Sequence, residues 1–371
     1  MKGFIDFWRR QSTLTALILI MVAFEILCRS FADASFLSPR NLTNLSLQVA
    51  INGILAIGMT LIILTGGIDL SIGSVVAVTG IVLGLVDRMG FPPGIALAAA
   101  VSSGLAIGAI SGTLIARFNI APFVITLGML VIARGAALIL SSAQAIAPLS
   151  GSILFLGSGF LNAAVVVALF VAGFFAIGRG VAKEMSRSAR GAAITALVVY
   201  AVLGGAVVYV LSVDRGLPFP VLLLTAVALV GALLSRHTVF GRTLYAVGGN
   251  EQAAILAGLN VRGAKLGAYV LMGGLAGLAG AVLAGRLNSA TPTEGQLMEL
   301  DAIASVVIGG TSLKGGVGTI MGSVIGAFII GAMNNGMDLL EVSSNWQMVT
   351  KGLIIIFAVY TDARVRAGRA A

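Results

Sequence analysis

Apolar residues run through this chain in long blocks, not in the alternation of half-buried strands or the stripes of soluble helices. The blocks fall at about 13–33, 47–66, 70–87, 92–116, 122–143, 156–178, 191–213, 217–235, 266–285, 299–311, 315–335 and 348–361. Most approach the roughly 20 residues that a helix needs to cross a ~30 Å hydrocarbon layer. Glycines, prolines and short polar stretches separate them. The pattern predicts an all-α, polytopic transmembrane helical bundle with about 10–12 membrane segments, forming one transmembrane domain over 1–371. The runs 299–311 and 348–361 are too short to span alone. They are expected as broken or re-entrant pieces, which a bilayer tolerates only where protein or a cavity covers the freed backbone.

Composition removes the alternative of a water-soluble core. Of 371 residues 58% are hydrophobic and 10% charged, and mean hydropathy is +1.06, whereas soluble domains carry about 25% charged residues. The 49 glycines suit close helix approach where lipid supplies no hydrophobic driving force.

The net charge of +9 takes its meaning from where the basic residues sit. With the amino terminus inside and sides alternating from there, Lys2, Arg9, Arg10, Arg117, Arg179, Lys183, Arg187, Arg190, Arg236, Arg242, Arg262, Lys265, Arg364, Arg366 and Arg369 share one side. Arg29, Arg40, Arg88, Arg215 and Arg286 are left on the other. The bias places both termini in the cytoplasm of a multi-pass inner-membrane protein and makes a nucleic-acid partner unnecessary. Glu25 interrupts the first apolar run and many runs follow it, so the amino-terminal segment reads as a retained first helix and not a cleaved signal. With one cysteine, Cys28, and one histidine, His237, neither an intrachain disulfide nor a His/Cys metal site is expected.

The stretch 236–265 is the longest hydrophilic loop. Asn250 is a good N-cap, Glu251 suits the positive end of a helix and Gly258 is a natural stop, so a short helix over 251–257 is expected outside the membrane. Its Ala253, Ala254, Ile255, Leu256 and Ala257 would fit a groove on a partner, the protein's own bundle, or the lipid surface.

Polar residues inside the apolar blocks are the other candidates for function. Asp69 lies among Thr65, Gly66, Gly67, Ser71, Gly73 and Ser74, where a helix break would expose backbone to a cavity; a structural role, as N-cap of a helix over 70–87 or as partner of a basic residue, is favoured over direct substrate contact. A second stretch, 307–318, also joins two apolar runs through glycine pairs and Thr311, which raises an internal duplication. Asp69, Ser71, Ser74, Asp301, Thr311, Asn334 and Asn335 are the candidates for lining a translocation pathway, alongside Glu299 and Asp338.

Catalytic machinery is not in evidence. Nothing fits the phosphate-binding pattern G-x-x-x-x-G-K-[ST], since Lys314 is followed by Gly315. Nor is a Ser-His pair placed for acyl transfer. The chain is therefore expected to bind no cofactor and to hydrolyse no ATP of its own.

Four stretches carry a resemblance: 66–74, the run Pro122-Phe123-Val124-Ile125-Thr126-Leu127-Gly128, 241–261, and 301–318. Together they resemble the permease subunits of bacterial ATP-binding-cassette monosaccharide importers, in the same order over about 40–361. Asp214-Arg215-Gly216-Leu217-Pro218, the run 221–225, Phe240-Gly241-Arg242 and 246–250, with the extra segment 191–213 and loop 179–190, are most similar to xylose-type members. Gly66-Gly67 before Ile68-Asp69 follows the general sugar pattern instead. The resemblance implies a type II importer fold with two permease copies, two cytoplasmic ATPase subunits that use the ATP, and a periplasmic sugar-binding protein. It makes 236–265 the coupling loop, with Gly241, Arg242, Gly248, Asn250, Glu251, Ala253, Ala254 and Gly258 as its ATPase-coupling residues. The competing class is an ion-coupled secondary transporter, supported by 84–90, where Asp87 and Arg88 partly match the loop pattern of the major facilitator superfamily.

Overall fold

The computed structural model describes residues 12–162, 164–165, 167–168, 204–205, 209–210 and 213–370. Lys2, Arg9, Arg10, the loop 179–190 and nearly all of the run 191–213 lie outside these residues. The chain is α-helical, with helices α1 (Ser12–Phe31), α2 (Pro39–Leu64), α3 (Ile72–Arg88), α4 (Pro93–Phe118), α5 (Pro122–Leu140) and α6 (Gly151–Ser158). A two-residue antiparallel pair, β1 (Phe160–Leu161) with β2 (Leu217–Pro218), precedes α7 (Phe219–His237). Then follow α8 (Val239–Gly249), α9 (Glu251–Leu256), α10 (Val261–Leu287), α11 (Met298–Ile308), α12 (Ile320–Leu339) and α13 (Ser344–Ala370). Among the described residues seven helices are long and apolar enough to cross a bilayer: α1, α2, α4, α5, α7, α10 and α12.

Local chemistry sets the helix starts. Proline opens α2, α4 and α5, where its missing N–H costs no hydrogen bond and its fixed φ already matches the helix. Thr238, Asn250, Asn260 and Thr319 cap α8, α9, α10 and α12 by accepting from the amides of Gly241, Ala253, Gly263 and Gly322. At the far ends, Asn119 after α4 and Asn288 after α10 adopt left-handed backbone, a conformation asparagine tolerates better than most residues.

Burial sorts the helices by depth in the bundle. Along α2, 89% of the apolar stretch is buried, against 6% for α1. A helix that is apolar all round and buried all round belongs at the centre. Helix α10 is the second central element, and it meets α4 backbone to backbone. A methyl group built on Gly104 would collide with the carbonyl of Gly273, one on Gly273 with the carbonyl of Gly104, and one on Gly108 with the carbonyl of Tyr269. As residue numbers rise along α4 they fall along α10, so the pair is antiparallel. The far end of α10 crosses α3 at Gly280 and Thr79, and meets α6 at Gly285 and Gly157. Here the glycine-rich composition has a direct structural use, because van der Waals contact between backbones is what membrane helices have in place of the hydrophobic effect.

Two short runs behave differently from one another. The run 299–311 forms the eleven-residue α11, preceded by a non-helical stretch that ends on Leu297 in left-handed backbone (φ 64°), so the expected break is present. The run 348–361 instead lies inside α13, 27 residues long. The expectation of a broken segment there is corrected: the run is short because Lys351 and the polar residues of 344–350 interrupt the apolar pattern without interrupting the helix.

The α4–α10 contact makes a sharp prediction. Gly273→Ala should destabilise the chain by about 1–3 kcal/mol through overpacking, read as a lower thermal unfolding midpoint of the detergent-purified protein. Gly128→Ala on α5, with nothing within 4 Å, should stay within about 0.5 kcal/mol of the parent.

Candidate functional site

The loop 236–265 folds as two helices, not one. Residues 241–250, expected as a glycine-rich lead into a single helix, are themselves helical as α8, because Thr238 caps Val239–Gly249 from the end of α7 and Leu244 and Val247 find buried positions. Two features obscured this in the sequence: three glycines, and a helix only eleven residues long. The expected second helix is present as α9, with Asn250 Oδ1 accepting from Ala253 N at 2.9 Å and Gly258 in left-handed backbone (φ 75°).

Helix α9 is held to the bundle on one side only. Ala254 packs with Val247 and Val261 in a small apolar cluster, and Glu251 accepts from Lys265 Nζ on α10 at 2.6 Å. Gln252, Ala253, Ile255 and Leu256 face outward, and Leu256 is 88% exposed. Of the coupling residues predicted from sequence, Gly241 is packed against the carbonyls of Leu234 and Ser235, Arg242 is exposed, and Ala253 stands on the open face. Ala254 does not; it belongs to the interior.

Under α8 the two glycine-rich stretches meet. Gly316 N donates to Leu64 O at 3.0 Å, and methyl groups on Gly248 or Gly315 would run into Leu64 O and into each other's backbone. Gly66, Gly315 and Gly316 all have positive φ, between 73° and 88°, and Gly315 approaches the amide of Gly66. Tyr245 Oη donates to Gly318 O at 2.9 Å. The break after α2 and the break before α12 therefore form one junction, with α8 seated on it. Nothing in the sequence beyond their likeness connected them.

The pathway candidates separate into distinct environments. Asp69 Oδ1 accepts from the amide and hydroxyl of Ser71 at 2.8 and 2.6 Å, a local turn leading into α3, and Ser71 and Ser74 are buried with it. Asp301 pairs with Lys351 Nζ of α13 at 3.0 Å and receives Asn334 Nδ2 at 3.4 Å. Asn335 exchanges hydrogen bonds with Asn41 of α2, at 2.7 and 3.0 Å. Thr311 is buried beside Gly318, and its hydroxyl has no hydrogen-bond partner among the described residues. The candidates thus do not gather around one point in the single chain. Asp87, the residue behind the secondary-transporter reading, accepts from Ser150 N at 2.8 Å at the end of the bundle away from α8 and α9.

Three groups stand at the break before α11, Arg134, Glu294 and Glu299, of which the sequence reading singled out only Glu299, as a lining candidate. Arg134 of α5 donates through Nη1 to Pro292 O at 2.5 Å and Glu294 O at 2.8 Å. Glu294 accepts from Thr291 N at 3.1 Å while its other carboxylate oxygen is buried without a partner among the described residues. Glu299 reaches beside Gly73, the second residue of α3. A charged residue inside an apolar run is a functional signal in itself, and Arg134 was the one that could have been read that way.

A family profile described as branched-chain amino acid transport system / permease component matches residues 41–359. The xylose transport system permease protein XylH of Haemophilus influenzae is 39% identical over 358 residues, covering 94% of each chain. The Escherichia coli XylH is 36% identical over 362 residues, 95% of this chain and 91% of the relative. The ribose import permease protein RbsC of Escherichia coli is 38% identical over 352 residues, 95% and 93%. No solved structure matches.

The Asp301–Lys351 pair supplies a test that separates removal of one charge from removal of both. Lys351→Met, which strands a buried carboxylate, should destabilise by about 3–5 kcal/mol, and Lys351→Met with Asp301→Leu should recover most of that loss. Thermal unfolding of the two variants beside the parent decides it.

Proposed function

The chain belongs to the permease components of ATP-binding-cassette importers, of the ribose/xylose sugar type, and from that premise we propose that two copies form the pathway through which a pentose enters the cell. An ATPase subunit and a soluble sugar-binding protein are its partners. The ATP is consumed by the ATPase, and the binding protein hands over sugar from the periplasm. The membrane is the bacterial inner membrane, with both chain termini and the α8–α9 end in the cytoplasm. The side distribution of Lys and Arg supports that orientation.

The observation that carries the reading is α9. A six-residue helix outside the membrane exposes Ile255 and Leu256 while its other side is fixed by Ala254 and the Glu251–Lys265 ion pair. Apolar side chains on a braced helix fit a groove on the ATPase. Its neighbour α8 rests on the junction of the breaks at Gly66 and Gly315, which supports 236–265 as the coupling segment. Asp69, Ser71, Ser74, Asp301, Thr311, Asn334 and Asn335 remain candidates for the pathway, where a second copy would complete the lining.

Pentose is the cargo class because relatives named for xylose and for ribose are similar to this chain to nearly the same extent, and both sugars are pentoses. D-Xylose is the first substrate to test. An uncharged sugar needs hydrogen-bonding groups and no fixed counter-charge, which agrees with buried carboxylates already engaged by Ser71 and Lys351.

Reconstitution of the chain with its ATPase and binding protein in vesicles tests these points together. ATP-dependent uptake of labelled xylose is expected. Leu256→Asp should lower that uptake at least about tenfold, since a charge in an apolar groove is desolvated without a partner, with folded yield unchanged. Ala254→Asp should lower folded yield instead. Normal uptake by the Leu256 variant would remove α9 from the contact, and uptake driven by a proton gradient without ATP would return the secondary-transporter reading.

A further inference from the structure

A cavity of about 640 Å³ opens where the end of α4 meets α9 and the start of α10. Arg117, Arg262 and Lys265 line it together with Asn119 and Gln252, and among the described residues Glu251 is the only acidic one on its wall. Glu251 is engaged by Lys265 at 2.6 Å. Neither Arg117 nor Arg262 forms an ion pair among the described residues.

The placement of Arg262 is informative. It sits in the first turn of a 27-residue helix that has no acidic residue in that turn, at the end where the helix dipole disfavours a cation. The topological demand for basic residues on one side of the membrane could be met anywhere in the loop 236–265, so it does not explain why Arg262 faces this cavity from the positive end of α10, opposite Arg117 at the end of α4. What the cavity lacks is an anion. Beside it the surface turns apolar: Phe118 is 61% exposed and Phe123 56%, at the corner between α4 and α5, and Ile255 lines the cavity itself. Cationic and amide groups within a cavity, next to exposed aromatic and aliphatic side chains at a membrane boundary, match a phosphate headgroup with its acyl chains.

We propose that this cavity is a binding site for an anionic phospholipid, its phosphate held by Arg117 and Arg262 and its chains lying along the α4–α5 corner. The site rests only on the chain's place in the bilayer, not on α9 meeting an ATPase. Lipid bound there would fill the space between α9 and the end of α4 and so brace α9 at Gln252 and Ile255, two of the residues it contributes to the cavity wall.

The experiment is native mass spectrometry of the full chain extracted from vesicles that contain equal phosphatidylglycerol and phosphatidylcholine. Retained lipid should favour phosphatidylglycerol. The double variant Arg117→Gln, Arg262→Gln should lose that preference about tenfold or more, in keeping with the contribution of each basic group at a membrane surface. Arg117→Lys with Arg262→Lys keeps both charges and should restore most of it, which separates charge loss from misfolding. An unchanged preference in the glutamine variant overturns the site, as does a loss that the lysine variant shares. A third arm adds millimolar inorganic phosphate. Release of the bound lipid by phosphate would leave an anion site and overturn the lipid as its occupant, whereas retention supports the lipid.

Discussion

The hydrogen bond from Gly316 N to Leu64 O joins two places where the helical backbone stops inside the protein. Helix ends leave amides and carbonyls without intrahelical partners, and hydrocarbon offers them no water. Here the last turn of α2 finds its acceptor's partner in the loop before α12. That is possible only because Gly66, Gly248, Gly315 and Gly316 let three stretches of main chain come within contact of one another. The position of α8, and through Asn250 the position of α9, follows from this contact. The site proposed to meet the ATPase is thus placed first by backbone contact under α8, and only then by the side chains of Ala254, Glu251 and Lys265 that fix α9.

Polar side chains at membrane depth follow the same requirement. Asn41 and Asn335 satisfy each other, Asp301 takes Lys351, and Asp69 takes the amide and hydroxyl of Ser71. Arg134 is the exception in kind, since its partners are the carbonyls of Pro292 and Glu294. It thereby holds a non-helical stretch across α3, where Gly73, Gly80 and Gly84 leave room for it. A broken segment in a bilayer needs such cover, and α5 provides it.

How much of this could be read from the sequence varied with the range of the interaction. Helix α9 was legible to within a residue because its signals are local: a cap, an acidic first turn and a glycine stop. The break before α11 was legible because the apolar run there is shorter than a bilayer. Helix α8 was not, since its glycines look like a turn, whereas Gly248 is there for contact with α2 and the 315–316 turn and Gly241 for contact with the end of α7. The burial of Ala254 was hidden for a similar reason. Alanine serves equally on an inner or outer face, and only the positions of Val247 and Val261 distinguish the two. The pathway candidates were found as polar groups in apolar surroundings, but Asp301 and Asn335 take partners from other helices, and nothing local in a sequence ties residue 41 to residue 335.

The seam between α4 and α10 has a further consequence. Where side chains interdigitate, neighbouring helices can slide by small amounts as rotamers change to follow. Gly104, Gly108 and Gly273 have no rotamers, and the carbonyls of Gly104, Tyr269 and Gly273 already lie against the opposing glycines. The two helices must therefore move as one rigid body or part completely. Any hinge that opens this protein to one side of the membrane or the other has to lie elsewhere, and the elements attached to α4 and α10 are carried with them as a unit.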